Sequence, residues 1–439
     1  MKNTVTVILG AGSTMDTGNP GDPKGMFSTE ELTRKLIKDS YPEIIDPGSI
    51  FIPKTDSRLD PKTNPPVPIS HSYHIPIIPL IHKSLKAQYE VVDFELMLHA
   101  IEQLMTFSDT VRYLGTADPF RHVLASFVEI QNRYKLLNDP MLLKNTHDSF
   151  ISSIIFLIMN RIYMCGNLEK TSLPLKNTFD ALKKSFSLKT FTLNYDDIID
   201  EAFPDGIDGF TDGESDTTRT IGIPVHLSNF DRKLFLEAVR SDSPLLVHLH
   251  GSVRFGYASY PDKIAKFGSS QKAYDSIVNT VRASATDTRN GEYFGSDPII
   301  SGLNKVSKLI HNPVPFGYYY QALTNSILNS SKLLVIGYSA RDEHINTWIR
   351  EFVKIHGEKR RVVWISKICG DRIGMDHEHE INFLREIAGN GEFQDWRACL
   401  KFLPSNHFQD HGPYLRLIPS GFPFQSDSMV ERIIKFLNE

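Results

Sequence analysis

Four short segments of this chain place glycines or polar residues directly after apolar runs that are typical of buried β-strands. They are residues 5–13, 192–196, 247–252 and 333–339. In an open parallel sheet the carboxyl ends of the strands line one crevice, and ligands bind in that crevice. Together the segments predict a nucleotide-binding site with Asn194 and His250 at its reactive end.

Asn194 and His250 offer different chemistry. An asparagine does not titrate, but its amide can orient a water or a ribose hydroxyl beside an electrophilic carbon. A histidine is the usual proton acceptor for a water or a sugar hydroxyl near neutral pH. The alternatives are a local turn for Asn194 and a hydrogen-bonded structural role for His250. Strand alternation puts His248 on the same side as His250, and for His248 the structural interpretation is favoured.

The first glycine turn, Gly10-Ala11-Gly12-Ser13, ends the N-terminal apolar run. Glycines at such a turn let the backbone approach a pyrophosphate, and the N–H groups of the turn can hold it. The dehydrogenase fingerprint would need a glycine at position 15, where this chain has Met15. Taken alone, the turn therefore fits a structural role equally well.

The segment from Gly337 to Asp342 is predicted to connect a strand to a helix. Ser339 and Asp342 have the spacing of a capping box, so Ser339 is expected to cap the helix. Ser339 and the N–H groups of this turn are also expected to face the adenosine half of a dinucleotide. Asp196 and Asp197 precede another helix, and we expect at least one of them to cap it.

The elements that position these residues indicate an α/β protein with a mostly parallel, Rossmann-like sheet. A long stretch separates the first strand from the Asn194 strand. Residues 46–80 carry eight prolines and are predicted to form an extended loop, whereas residues 94–105 have helical spacing, with Asp93 as the N-cap. We therefore expect residues 46–185 to be an inserted proline-rich loop and helical subdomain. The nucleotide-binding domain would comprise residues 1–45 and 186–439.

Two further stretches are predicted to be irregular. Residues 202–217 are rich in Asp and Gly, and turns account for them better than a calcium loop does. Residues 254–315 are predicted to be a second long segment without regular secondary structure.

Composition excludes several classes of function. A net charge of -4 gives no support for direct nucleic-acid binding. The sixteen histidines are scattered and the three cysteines form no CxxC motif, so no metal centre is expected. The apolar stretch 151–159 is too short to span a bilayer, and the N-terminus does not resemble a secretory signal peptide. These features predict a cytoplasmic protein that makes no contact with a membrane.

The motifs resemble, in order, the NAD-binding and catalytic signatures of the sirtuin fold. They are Gly10-Ala11-Gly12-Ser13, Thr192-Leu193-Asn194-Tyr195-Asp196, His250-Gly251-Ser252 and Gly337-Tyr338-Ser339. More closely, the chain resembles the sirtuin-like NADases of bacterial antiphage defence. The residues that carry this closer resemblance are 300–305, 318–319 and 337–346.

The resemblance implies a Rossmann-like sheet of sirtuin type and an NAD+ glycohydrolase activity. NAD+ would be the substrate, cleaved to nicotinamide and ADP-ribose without a metal, and its depletion would serve abortive infection. Asn194 and His250 become the catalytic pair. The residues implied in binding NAD+ are Gly10, Ala11, Gly12, Ser13, Asp196, Gly251, Gly337, Ser339 and Asp342.

Two alternatives stay open beside this interpretation. The first is a sirtuin-type protein deacylase or an ADP-ribosyltransferase. Three cysteines are too few for the four-cysteine zinc ribbon of the deacylases, and residues 17–22 depart from their loop sequence. The second is a non-catalytic NAD or nucleotide sensor or an assembly scaffold, against which the pairing of Asn194 with His250 argues. The resemblance also implies a homo-oligomer and a phage-responsive partner such as a HerA-like ATPase.

Overall fold

A computed structural model provides the structure of the chain. The residues that it describes are 3–14, 32–33, 36, 77–87, 89, 92–114, 143, 146–147, 150–151, 154–155, 157–159, 161–162, 168–211, 218–220, 223–225, 227–259, 263–267, 313–367, 378–388, 409–411, 413–419, 421–424 and 428–439.

A seven-stranded sheet forms the centre of the fold, in the spatial order β12-β13-β11-β10-β1-β2-β7. Numbered in chain order, its strands are β1 (Asn3–Leu9), β2 (Phe186–Thr192), β7 (Leu245–His248), β10 (Lys332–Ile336), β11 (Arg361–Ile365), β12 (Gln409–His411) and β13 (Leu415–Ile418). All neighbours pair in parallel except the edge strand β12, which is antiparallel to β13. The predicted α/β fold with a mostly parallel, Rossmann-like sheet is confirmed.

Smaller antiparallel elements accompany the central sheet. A four-stranded sheet has the order β3-β6-β9-β8, and β4 pairs with β5. Their bounds are β3 (Phe210–Thr211), β4 (Thr218–Thr220), β5 (Ile223–Val225), β6 (Leu227–Phe230), β8 (Phe255–Ser259) and β9 (Lys263–Phe267).

Helices cover both faces of the central sheet, which is why its strands are apolar on both sides. On one face, Val5, Val7 and Leu9 of β1 join an apolar cluster with the helical block. The helices contributing to that cluster are α1 (Ile77–Lys86), α2 (Phe94–Leu114), α3 (Leu168–Ser185), α4 (Ile198–Ala202) and α9 (Ser428–Asn438).

The opposite face carries a second apolar cluster, in which Ile8 of β1 and Val335 of β10 take part. It packs against α5 (Arg232–Arg240), α6 (Tyr318–Asn329), α7 (Glu343–His356) and α8 (Glu378–Ala388). Two layers of helices therefore cover the strands, and polar side chains can gather at the strand ends.

The proline-rich segment ends earlier than the sequence predicts. Residues 77–80 belong to α1 rather than to an extended loop, and Pro79 lies in the first turn of that helix. Proline is tolerated there because the first N–H groups of a helix have no partner within the helix. Residues 46–76 lie outside the described residues. The predicted N-cap of α2 is confirmed, since Asp93 Oδ1 accepts a hydrogen bond of 2.8 Å from the N–H of Leu96.

The prediction that residues 254–315 lack regular secondary structure is wrong for the first part of this segment. Residues 255–259 and 263–267 form the antiparallel pair β8–β9, in which Phe255 and Ile264 are buried, and sequence reasoning overlooked this pair. Turn chemistry within residues 202–217 is confirmed at Asp208, whose Oδ1 accepts a hydrogen bond of 2.9 Å from Phe210 N–H.

The predicted boundary at residues 185 and 186 coincides with the junction between α3 and β2. Helices of the predicted insertion share one apolar cluster with the sheet, and the division into domains 1–45 with 186–439 and 46–185 stays a prediction. Within the described ranges, no helix is long and apolar enough to cross a membrane.

Candidate functional site

The carboxyl ends of four neighbouring strands meet at one edge of the central sheet. Leu9 at the end of β1 pairs with Ile336 of β10 on one side and with Thr192 of β2 on the other. Thr192 in turn pairs with His248 at the end of β7. The strand ends are therefore in register, and the four segments predicted to share one crevice do share one edge.

The glycines of the first and last of these turns pack against each other. Gly10 N–H donates to Ile336 O at 2.9 Å, and Gly12 N–H donates to Gly337 O at 3.0 Å. A Cβ on Gly10 would lie 2.5 Å from Gly337 O, and one on Gly337 would lie 2.2 Å from Ser13 N. Gly337 also has a φ of +66°, which favours glycine. The close approach of the two turns therefore explains these glycines, and contact with a pyrophosphate stays a prediction.

Asn194 lies two residues beyond β2 and is directed at the first glycine turn. Its Nδ2 donates to Ser13 Oγ at 3.1 Å and to Thr14 Oγ1 at 3.3 Å, and the side chain is buried. Ser13 Oγ is itself fixed by donating to Gly10 O at 2.7 Å. These bonds set the orientation of the amide, so the position of its Oδ1 is determined before any ligand arrives.

Asp196 holds Thr14, and through it the Asn194 amide, in this arrangement. Thr14 Oγ1 donates to Asp196 Oδ2 at 3.2 Å, and the backbone N–H of Ile198 donates to Asp196 Oδ1 at 3.2 Å. Burial, together with the neighbouring Asp197 carboxylate, raises the pKa of Asp196 to about 7. The capping prediction is thus met by the Asp196 side chain, although Asp197 occupies the N-cap position of α4 and makes no side-chain cap bond.

His250 lies in a turn after β7, which ends two residues earlier than the sequence predicts. Gly251 N–H donates to His248 O at 3.2 Å, and Gly251 has a φ of +89°, so the chain turns sharply at this glycine. Although His250 is only 2% exposed, its Nε2 lies 3.2 Å from His344 Nε2. The Tyr195 ring is 6.5 Å away, centroid to centroid.

The N-cap residue and the first turn of α7 supply the groups that face His250. The ligand-type atoms of His250, Asp342 and His344 all lie within 4.8 Å of one another. At an Nε2–Nε2 distance of 3.2 Å, one imidazole donates an N–H···N hydrogen bond to the other. His344 therefore orients the His250 ring and gives it a partner for proton transfer.

Ser339 is placed differently from the capping prediction. Helix α7 begins at Glu343 with Asp342 at its N-cap, so Ser339 lies outside the first helical turn, where it is exposed at the edge of the sheet. The positive φ of 56° at Ala340 redirects the chain between Ser339 and the helix. Ser339 is therefore available to a ligand instead of being used as a cap.

His248 belongs to a buried ionic network on the other side of the Asn194 backbone. Its Nε2 lies 2.8 Å from Asp200 Oδ2, its Nδ1 lies 3.2 Å from Asn194 O, and its side chain is fully buried. Asp200 also contacts Lys266 at 2.7 Å and Arg254 at 3.0 Å. Burial would raise the pKa of Asp200, but Lys266, His248 and Arg254 together hold it well below its usual value.

Sequence reasoning missed several residues of the site. His344 was not singled out, although it follows the predicted strand-to-helix turn directly. Tyr320 lies near the same group, with its ring centroid 5.7 Å from that of His344. Asp200 shows no sequence signal, because a carboxylate in the first turn of a helix is common on protein surfaces.

A comparison with models of known protein families matches the part of the chain that contains most of this site. Residues 189–386 match the family model described as a SIR2-like domain. The matched range begins in β2 and ends in α8, so it contains Asn194, His250 and His344, whereas Gly10 and Ser13 precede it. A search of the curated proteins finds no match to this chain.

Proposed function

We propose that the chain hydrolyses NAD+ to nicotinamide and ADP-ribose, because residues 189–386 match the model of a SIR2-like domain, a family whose members act on NAD+. The observation that carries the proposal is the fixed amide of Asn194, held by Ser13 and Thr14 where the β1 and β2 ends meet. A preset amide at the ligand-binding edge of a parallel sheet suits the placement of an attacking oxygen.

Asn194 is proposed to position water at C1′ of the nicotinamide ribose. Both hydrogens of its Nδ2 are directed at the hydroxyls of Ser13 and Thr14, so its Oδ1 is the atom that receives a hydrogen bond from the water. The glycosidic bond breaks through an oxocarbenium-like state, and its electron pair leaves with nicotinamide. The positively charged ring becomes neutral at the same time.

His250 is proposed to take the proton that the attacking water loses. Its Nε2 faces His344 Nε2 at 3.2 Å, so a proton accepted by one ring can be shared with the other. The half-buried Asp342 beside this pair stabilises the positive charge that results. Water and NAD+ together therefore yield nicotinamide, ADP-ribose and one proton.

The remaining strand ends are proposed to bind the rest of NAD+. Gly10, Ala11, Gly12 and Ser13 would lie along the pyrophosphate and Gly251 would lie beside the nicotinamide ribose, while Gly337, Ser339 and Asp342 would face the adenosine half. Asp196 would act through Thr14 by holding the turn in place. No metal takes part in this mechanism.

The biological setting is part of the same proposal. Loss of NAD+ would serve antiphage defence by abortive infection, and an unrestrained hydrolase would harm its own cell. We therefore expect low activity in the isolated chain and a large gain on assembly as a homo-oligomer with a HerA-like ATPase or another phage-responsive partner. Expression of the chain alone and with its genomic neighbour, with cellular NAD+ followed during infection, tests this expectation.

Purified protein incubated with NAD+ tests the reaction itself. Nicotinamide and ADP-ribose are quantified with and without an acetylated peptide, alongside Asn194→Ala and a matched control, Asn329→Ala, at the exposed end of α6. Formation of both products without peptide, lost in Asn194→Ala alone, supports hydrolysis. Turnover that requires the peptide, or binding of NAD+ without turnover in the assembled complex, would replace hydrolysis by deacylation or by nucleotide sensing.

A further inference from the structure

His250, Asp342 and His344 form a compact group with the composition of a metal site. Their nitrogen and carboxylate oxygen atoms lie within 4.8 Å of one another. Two imidazoles and one carboxylate suit borderline divalent cations, of which Zn²⁺ is the most common in proteins. The histidines are 94 positions apart in the chain, so no sequence spacing indicates the group.

The distance between the two imidazole nitrogens is close to that of two ligands of one cation. His250 Nε2 and His344 Nε2 are 3.2 Å apart. Two nitrogens bound to one Zn²⁺ at tetrahedral angles lie about 3.3–3.4 Å apart, since each Zn–N bond is about 2.0–2.1 Å long. The rings are therefore held close to the separation that coordination requires.

Asp342 can supply the third ligand from the turn that precedes α7. It occupies the N-cap position, yet its side chain makes no cap hydrogen bond to the helix. It is half-buried, and one of its carboxylate oxygens already lies within 4.8 Å of a ring nitrogen of each histidine. Three protein ligands leave a fourth position of a tetrahedral cation for water.

Tyr320 provides an independent sign that a ligand belongs here. Its hydroxyl is buried and finds no hydrogen-bond partner among the described residues, while its ring packs 5.7 Å from that of His344. A buried hydroxyl without a partner is costly, and such groups in folded proteins are usually explained by a bound water, ion or ligand. A water on the open position of a cation would give this hydroxyl a partner.

We propose that His250, Asp342 and His344 bind one divalent cation of the Zn²⁺ type, and that its binding suppresses NAD+ hydrolysis. The suppression rests on the proposed function: a cation uses the Nε2 lone pair of His250, which can then no longer accept a proton from water. The binding itself does not depend on that function. Metal release, like assembly with a partner, would switch the enzyme on.

Metal binding is tested without any activity measurement. Chelator-treated protein is titrated with Zn²⁺ by calorimetry and with Co²⁺ by visible absorption, in which a tetrahedral nitrogen and oxygen site gives intense bands. We expect one such site per chain, weakened by at least about 100-fold in His344→Ala, His344→Gln and Asp342→Asn. The control His379→Ala, at an exposed position of α8, should bind like the wild type.

Absence of this site in the wild type, or its persistence in both His344 variants, would overturn the proposal. Turnover is then measured with and without Zn²⁺, each variant against its own metal-free rate. Zn²⁺ should inhibit the wild type and His379→Ala but not His344→Gln. Metal binding without inhibition would contradict the proposed suppression, and metal binding by a protein that never cleaves NAD+ would contradict only the proposed function.

Discussion

His248 and His250 are two positions apart and equally buried, yet they belong to different kinds of surroundings. His248 lies between the Asp200 carboxylate and the Asn194 carbonyl, inside a network whose charges compensate one another. His250 lies beyond the strand end and faces a second imidazole and a carboxylate from the turn before α7. Burial therefore does not distinguish the two histidines, whereas the groups opposite each ring do.

The same contrast holds for the carboxylates near the two histidines. Asp200 is buried, but its neighbours Lys266, His248 and Arg254 keep its pKa well below the usual value. Asp196 is also buried, but its neighbours are a hydroxyl, a backbone N–H and another carboxylate, and its pKa is raised to about 7. The two carboxylates are thus shifted in opposite directions by their neighbours, and the one with the raised pKa lies next to the proposed site.

The largest expected effect is that of His250→Ala. Loss of a general base lowers turnover of NAD+ by ~10²–10⁴-fold, and the apolar residues Val247 and Leu249 that anchor this segment stay in place. Product formation is measured by chromatography and folding by thermal unfolding, with His379→Ala as the surface control. A folded variant with near wild-type turnover would remove His250 from the mechanism.

Asn194→Ala is expected to be nearly as damaging. The variant loses the amide that positions the attacking oxygen, which lowers kcat by roughly 10²-fold or more without adding a charge. Calorimetry should still detect binding of NAD+ to the Asn194→Ala variant. If binding disappears together with turnover, Asn194 is a binding or structural residue instead.

The ionic network around His248 is expected to affect stability more than chemistry. Lys266 lies 2.7 Å from Asp200 and 2.5 Å from Asp208, and removing one partner of such a buried pair costs ~3–5 kcal/mol of unfolding free energy. Lys266→Met is compared by urea unfolding with Lys354→Met, whose exposed pair with Glu351 is worth less than ~1 kcal/mol. Equal losses of unfolding free energy in the two variants would show that the network does not stabilise the fold.

Asp196 predicts a pH dependence of stability. The pKa of Asp196 is about 7 in the folded state and about 3.9 in the unfolded state, so the folded state binds the proton more tightly. The contribution of Asp196 to the free energy of unfolding is therefore fully present below pH ~4 and is lost as the pH rises towards 7. Asp196→Asn should therefore gain on the order of 2–3 kcal/mol relative to the wild type between pH 5 and pH 8. A flat difference between the variant and the wild type over this range would refute the raised pKa.

The sequence predicts well which residues lie at the strand ends of this site. It predicts poorly which other side chains those residues contact. Apolar runs that break into Gly10, Asn194 or His250 reveal the edge of a parallel sheet, because strand burial and turn chemistry are local properties. The contact of His250 with His344 depends on which turns meet across the sheet, and the bond between Lys266 and Asp200 depends on the β8–β9 pair. Ser339 was expected to cap α7 because capping-box spacing alone does not reveal the positive φ at Ala340.

One paired measurement tests the central claim most directly. NAD+ turnover and the unfolding midpoint are determined side by side for His248→Ala and His250→Ala, under conditions in which the wild type cleaves NAD+. The structure predicts that His250→Ala loses turnover by at least ~10²-fold and keeps its stability. His248→Ala should lose stability and, where it remains folded, keep most of its turnover. The reverse pattern, or equal losses of turnover in both folded variants, would contradict a reactive site at His250.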